Sequence, residues 1–201
     1  VTLARRAAAG RAWVAASAGP YGAMLADGSE YRGNYGLSVR ELTAFHRPRL
    51  EILADAGPDV LALETVPDAR EAEALLTALD GLGVPAWLSF TIDGAHTRAG
   101  QPLDEAFALV AGVDAIVATG VNCCDPADAA AAVPVARQAS GGKPVVVYPN
   151  SGETWDADAR TWTGDPHPAE VPPGAALIGG CCRVGPPAIA AIARTLETEP
   201  R

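Results

Sequence analysis

A chain of 201 residues, 49% of them hydrophobic, is long enough for one well-buried domain, and its apolar stretches are too short and too interrupted to span a bilayer. A net charge of -9 argues against a nucleic-acid partner, which would call for a basic face, and favours a small molecule. The four cysteines form two adjacent pairs, a poor disulfide framework, so a reducing, cytoplasmic setting is expected.

In chain order, the first twenty residues read as the tail of a helix running into a strand at 12–18. Arg11 interrupts the apolar core that a signal peptide would need. Gly19-Pro20-Tyr21-Gly22 matches no phosphate-binding fingerprint and reads as a turn. Ser38 followed by Glu41 is a capping-box pattern before Leu42, Phe45, Leu50 and Leu53, with a kink expected at Pro48. A strand at 60–66 follows, and then Asp68 with Glu71 makes a similar start for a helix over 72–82. Strands are expected at 86–92, 115–121, 145–148 and 176–178, and helices at 103–111, 126–139 and 186–196. Asp125 and Pro126 supply the cap and first turn of the second of these helices.

Continuous rather than alternating apolarity predicts strands buried on both faces, as in a parallel sheet covered by helices. The fold class is therefore α/β, either a barrel or an open doubly wound sheet. Polar residues at the C-terminal strand ends favour the barrel, which gathers its chemistry there: Ser17, Glu64, Thr91, Asn122 with Cys123, Asn150 with Ser151, and Cys181.

Cys123, Cys181 and Cys182 offer three thiols at two of these ends, and three thiolates leave one position of a tetrahedral zinc open. A thiol entering that position would bind deprotonated, and its best electrophile would be a methyl group on a cation. Neighbouring Cys181 and Cys182 would point to opposite faces of a regular strand, so sharing a metal requires the chain to leave the strand after Gly179-Gly180. Buried apolar cysteines are the alternative, and spacing alone does not choose. Cys124 reads as a bystander. Glu64 ends an apolar strand and must pair with a buried group or reach a ligand, for which an amino group is suited. His46, His96 and His167 are scattered and read as surface or packing residues, and no C-x-x-C supports a redox role.

Six motifs spread over the chain carry a resemblance: Gly19-Pro20-Tyr21-Gly22, 27–33 (Asp-Gly-Ser-Glu-Tyr-Arg-Gly), Glu64-Thr65, Gly120-Val121-Asn122-Cys123, 148–153 (Tyr-Pro-Asn-Ser-Gly-Glu) and Gly179-Gly180-Cys181-Cys182. Together they resemble the homocysteine S-methyltransferase family. The resemblance implies a (βα)8 TIM barrel and zinc on Cys123, Cys181 and Cys182. Homocysteine would enter through its thiol and leave as methionine. It implies that Glu64 holds the homocysteine amino group, with Asn122 a second substrate contact. The segments 23–35 and 148–162 are most similar to members using S-methylmethionine, with S-adenosylmethionine an alternative and betaine disfavoured; Tyr148, Asn150 and Ser151 would form the donor pocket.

The resemblance begins after the family's first two strands, so residues 1–201 are expected to form a single, N-terminally truncated domain: an incomplete barrel of about six parallel strands. Its exposed edges invite self-association. The stretch 162–174 is short and Pro-rich where the family carries a helix. A non-catalytic zinc- or homocysteine-binding remnant is the alternative to an enzyme.

Overall fold

The computed structural model describes residues 1–156, 159, 161–167 and 171–198. Its centre is one sheet of six parallel strands: β1 (Ala15–Ala18), β2 (Val60–Val66), β3 (Ala86–Phe90), β6 (Ile116–Asn122), β7 (Val145–Tyr148) and β10 (Leu177–Ile178). Two small antiparallel hairpins are set apart from it, β4 (Ile92–Asp93) with β5 (His96–Thr97), and β8 (Thr154–Asp156) with β9 (Thr161–Thr163). Helices α1 (Thr2–Ala8), α2 (Tyr21–Leu25), α3 (Val39–Asp55), α4 (Ala69–Leu79), α5 (Leu103–Ala108), α6 (Pro126–Ala139) and α7 (Pro186–Thr198), with a short 3-10 turn at Ser29–Tyr31, are the helical elements among the described residues.

Each sheet strand pairs with the next sheet strand in the chain, β1-β2-β3-β6-β7-β10, with no reversal of order. A doubly wound sheet would reverse direction at a switch point, so this order is that of a barrel wall, here a curled half-barrel. Among the described residues β1 and β10 each have one strand neighbour, which leaves two parallel edges. No helix among them is long and apolar enough to cross a membrane.

The core lies between the sheet and its helices. Leu61, Leu63, Leu88, Phe90, Val121 and Val147 from the strands meet Leu75, Leu79, Phe107, Ala132 and Val133 from α4, α5 and α6. The opposite face of the sheet is polar toward the C-terminal strand ends and apolar lower down, where Val117 is 47% exposed.

The helices start where local chemistry dictates. At α3 the capping box is complete: Glu41 N–H donates to Ser38 Oγ and Ser38 N–H to Glu41 Oε2. The helix runs through Pro48 to Asp55. At α4 only half of the expected box forms. Asp68 accepts from Arg70 N–H, but Glu71 turns inward, where Oε1 accepts from Tyr21 N–H at 2.6 Å and meets His46 Nε2 at 2.8 Å. Both side chains are fully buried, so Glu71 serves tertiary packing rather than the helix start, and His46 is a core partner.

Other boundaries shift for similar reasons. The strand expected at 12–18 begins only at Ala15, where pairing with Val60 starts. The one expected at 86–92 breaks after Phe90, because Thr91 donates its N–H to Val66 O and its hydroxyl to Cys123 O, and Ile92 enters a hairpin. The helix expected over 103–111 ends at Ala108 and continues as turns.

Strands β6 and β7 approach closely at Gly120, where a Cβ would stand 1.8 Å from Val146 O. Glycine there permits the backbone contact. Gly120→Ala is expected to destabilise the protein by roughly 1–3 kcal/mol or more through overpacking, read as a lower midpoint in denaturant unfolding. An unchanged midpoint would contradict the spacing of these two strands.

Candidate active site

Three thiols meet at the C-terminal ends of β6 and β10. Cys123, Cys181 and Cys182 place their sulfurs within 4.8 Å of one another, with Cys181 Sγ 2.9 Å and Cys182 Sγ 3.6 Å from Cys123 Sγ. The chain leaves the strand at both ends to achieve this. Cys123 sits at φ 53°, a left-handed turn after Asn122, and Arg183 at φ 68° turns the chain after the Cys181-Cys182 pair. A Cβ on Gly180 would lie 2.1 Å from Val184 Cγ1, so glycine is what lets this loop fold back on itself.

The loop after β7 frames the thiols. Cys181 N–H donates to Pro149 O, Cys182 N–H to Asn150 Oδ1, Ser151 N–H to Cys182 O and Asn150 N–H to Cys124 O. Asn150 thus ties the two cysteine loops together. Ser151 Oγ donates to Glu153, whose carboxylate pairs with Arg183 at 3.1 Å. The third wall is the segment after β1. Glu71 anchors it at Tyr21, and Gly22 lets the turn at Ser29–Tyr31 pack close, since a Cβ would lie 2.5 Å from Glu30 N. That turn delivers the Tyr31 hydroxyl to 3.5 Å from Cys123 Sγ.

Glu64 lies at the same end of the sheet. Its carboxylate accepts from Ser17 Oγ on β1 and, at 2.9 Å, from Tyr148 Oη on β7. Tyr148 in turn accepts from Trp87 Nε1 at 3.0 Å and contacts Ser89 Oγ at 2.6 Å. Ser89 donates to Asn122 Oδ1. Among the described residues Glu64 therefore has two hydroxyl partners and no ion pair, and it is half-buried.

The electrostatics sort these groups. Burial, together with the charge of Glu64, pushes the Tyr148 phenol well above its ordinary range, so it remains a donor to that carboxylate. Burial and the contact with Cys123 do the same for Tyr31. Among the thiols, hydrogen bonds from Cys123 and Cys181 pull Cys182 down, whereas the Cys123 contact pushes Cys181 up. Burial pushes Cys124 up as well; it is a neutral core thiol outside the cluster. Three soft sulfur ligands converging on one point suit a thiophilic ion such as zinc, whose thiolate corners stand about 3.8 Å apart for bonds of about 2.3 Å. The Cys123–Cys182 distance is close to that edge, whereas Cys123 and Cys181 stand closer together.

All the site residues expected from sequence, Cys123, Cys181, Cys182, Glu64, Asn122, Tyr148, Asn150 and Ser151, belong to this one end of the sheet. Sequence reasoning assigned no role to Tyr31, Thr65, Trp87 or Ser89; Tyr31 and Thr65 lay inside quoted motifs, while nothing local marked Trp87 or Ser89. A separate cavity of about 380 Å³ touches Asn150 and Ser151 but is otherwise lined by groups such as Pro126, Ala130, Val184 and Ile192. It contains neither Glu64 nor a cysteine, so it is distinct from the thiol cluster.

Comparison with known proteins agrees with this geometry. Residues 1–196 match the family described as homocysteine S-methyltransferase. The chain is 47% identical over 201 residues to the homocysteine S-methyltransferase of Escherichia coli (strain K12), covering 94% of this chain and 64% of that protein. It is 44% identical over 198 residues to homocysteine S-methyltransferase YbgG of Bacillus subtilis (strain 168), covering 92% and 62%. The metallated form of the homocysteine methyltransferase MmuM from Escherichia coli superposes with a TM-score of 0.76 at 45% identity, over 96% of this chain and 65% of that one. The apo form of MmuM superposes at 0.71. The chain thus spans less than two thirds of the length of these relatives. With the thiol cluster, the barrel-type sheet and this similarity over nearly its whole length, the chain belongs to the homocysteine S-methyltransferase family.

Proposed function

We propose that residues 1–201 act as a single methyltransferase domain that moves a methyl group from a sulfonium donor to the thiol of homocysteine, forming methionine. The observation that carries this reading is the placement of the Cys123, Cys181 and Cys182 thiols and the Glu64 carboxylate at one end of one sheet, in a chain 47% identical to a homocysteine S-methyltransferase. Zinc held by the three cysteines would supply Lewis acidity that keeps an incoming thiol deprotonated at neutral pH.

The chain's own groups then bind and orient. Glu64, held by Ser17 and Tyr148, meets the homocysteine ammonium. With Cys123 as a thiolate, the Tyr31 hydroxyl would donate a hydrogen bond to its sulfur from the side of the turn. Tyr148, Asn150 and Ser151 form the donor-side wall, with S-methylmethionine the preferred donor and S-adenosylmethionine the alternative. A sulfonium suits this site because the groups around it are carboxylate and thiolate, and its leaving group departs neutral without needing an acid. Alignment of the reactants is the remaining task. A reducing, cytoplasmic setting would keep the thiols free.

The rival reading is a unit that binds zinc or homocysteine without turnover, and the half-barrel with its two open edges favours it. Incubating the reduced chain with zinc, homocysteine and S-methylmethionine separates the two. Methionine formation supports the enzyme; about one bound zinc per chain with no methionine supports the binding unit.

Cys181→Ser is expected to abolish stoichiometric zinc binding, measured by metal analysis after dialysis, whereas Cys124→Ser should leave it intact. Retention of zinc by Cys181→Ser would remove that residue from the ligand set. Glu64→Gln is expected to keep the metal but weaken homocysteine binding about tenfold or more by calorimetry, the effect of losing one charge-assisted contact. Unchanged affinity would take Glu64 out of the amino-acid site.

A further inference from the structure

The strand that carries Glu64 is not regular at its end. Leu63 pairs with Leu88 and Val66 with Phe90, so Glu64 and Thr65 together face the single residue Ser89. Such a bulge shifts the alternation of side chains by one residue. Packing shows the shift: Leu61, Leu63 and Val66 all enter the helix-side core, which an unbroken alternation would not allow. The additional residue, Thr65, has φ 60°. A β-branched side chain takes this left-handed backbone only under constraint.

Asn122 supplies the constraint. The backbone N–H of Thr65 can only donate, so the atom 2.8 Å from it is Asn122 Oδ1; at the other end of the amide, Nδ2 donates to Thr65 Oγ1 at 2.7 Å. Oδ1 also accepts from Ser89 Oγ at 2.8 Å. One amide on β6 thereby ties down the ends of β3 and β2. It is 1% exposed, which leaves almost no surface for a substrate to touch. Ser89 contacts Tyr148, and the Tyr148 hydroxyl donates to Glu64. The backbone that follows Glu64 and the hydroxyl that meets its carboxylate are therefore both linked to Asn122.

The structure assigns Asn122 a positioning role: it closes the bulge at Thr65 so that Glu64 is presented toward the ligand, and it makes no contact with that ligand itself. Where it concerns homocysteine, this rests on the function proposed above; where it concerns the bulge, it rests on the hydrogen bonds alone.

A double-mutant cycle on the zinc-supplemented chain tests it, with thermal unfolding and homocysteine calorimetry as readouts. Asn122→Ala is expected to lower the unfolding midpoint and to weaken homocysteine binding about tenfold, with the zinc content unchanged. Glycine adopts left-handed backbone without strain, so Thr65→Gly is expected to make the chain tolerant of Asn122→Ala, restoring most of the midpoint and of the affinity in the double variant. Equal losses from Asn122→Ala in the Thr65 and Thr65→Gly backgrounds would overturn the proposal, because a direct ligand contact is lost regardless of the backbone at 65. If the parent chain binds no homocysteine, the proposed function falls, while the midpoints still decide the clamp: non-additive midpoints uphold it and additive ones overturn it.

Discussion

Parallel pairing of six strands in chain order is the constraint on which the site depends, because it brings every C-terminal strand end to the same edge of the sheet. Cys123 lies 58 and 59 residues before Cys181 and Cys182, yet the sulfurs meet because β6, β7 and β10 are consecutive in the sheet. The loop after β7 lies between the two cysteine loops and bonds to both through its backbone and the Asn150 amide, so the loops are held without calling on the thiols themselves. The close approach of β6 and β7 at Gly120 lies three residues before Cys123 on the same strand run.

The groups that converge there share a sign. Glu64 and the thiols can carry negative charge, while Tyr31 and Tyr148 are kept as neutral donors by burial and by those same neighbours. Such a cluster of groups favours cations over anions. The polar row from Ser17 through Glu64, Tyr148 and Ser89 to Asn122 spans five strands, β1, β2, β7, β3 and β6. A displacement at one strand end is therefore transmitted to the carboxylate. The outer shell is built to resist that, with a continuous helix-side core and the fully buried His46–Glu71 pair fixing the start of the segment that carries Tyr31.

The polar network occupies the upper part of the inner sheet face, and below it the lining is apolar and open. Val117 is 47% exposed there, and Trp87 uses its indole N–H on Tyr148 while its ring faces the same open side. In a barrel such a face is filled by side chains from the remaining strands. The relatives are longer than this chain, which matches 64% of the Escherichia coli protein. The three thiols and Glu64 thus lie together on one wall, at the C-terminal ends of its strands.

Much of this was legible in the sequence, and for local reasons. Continuous apolar runs placed the six sheet strands, Asp125-Pro126 placed the start of α6 to the residue, and Ser38 with Glu41 placed α3, because strand burial and helix capping depend on neighbours in the chain. The cysteines and Glu64 stood out because thiols and a carboxylate at apolar strand ends need partners. What only the tertiary structure decided were the contacts between distant segments. Glu71 looks like half of a capping box until His46 and Tyr21 compete for its carboxylate. The sequence Glu64-Thr65-Val66 contains nothing that marks a bulge, since the bulge arises from a register mismatch with β3 and from an amide 57 residues away. The same holds for Tyr31, which reaches Cys123 across 92 residues of chain. Local propensity dictates elements, whereas register, strand order and long-range hydrogen bonds determine which side chains share a site.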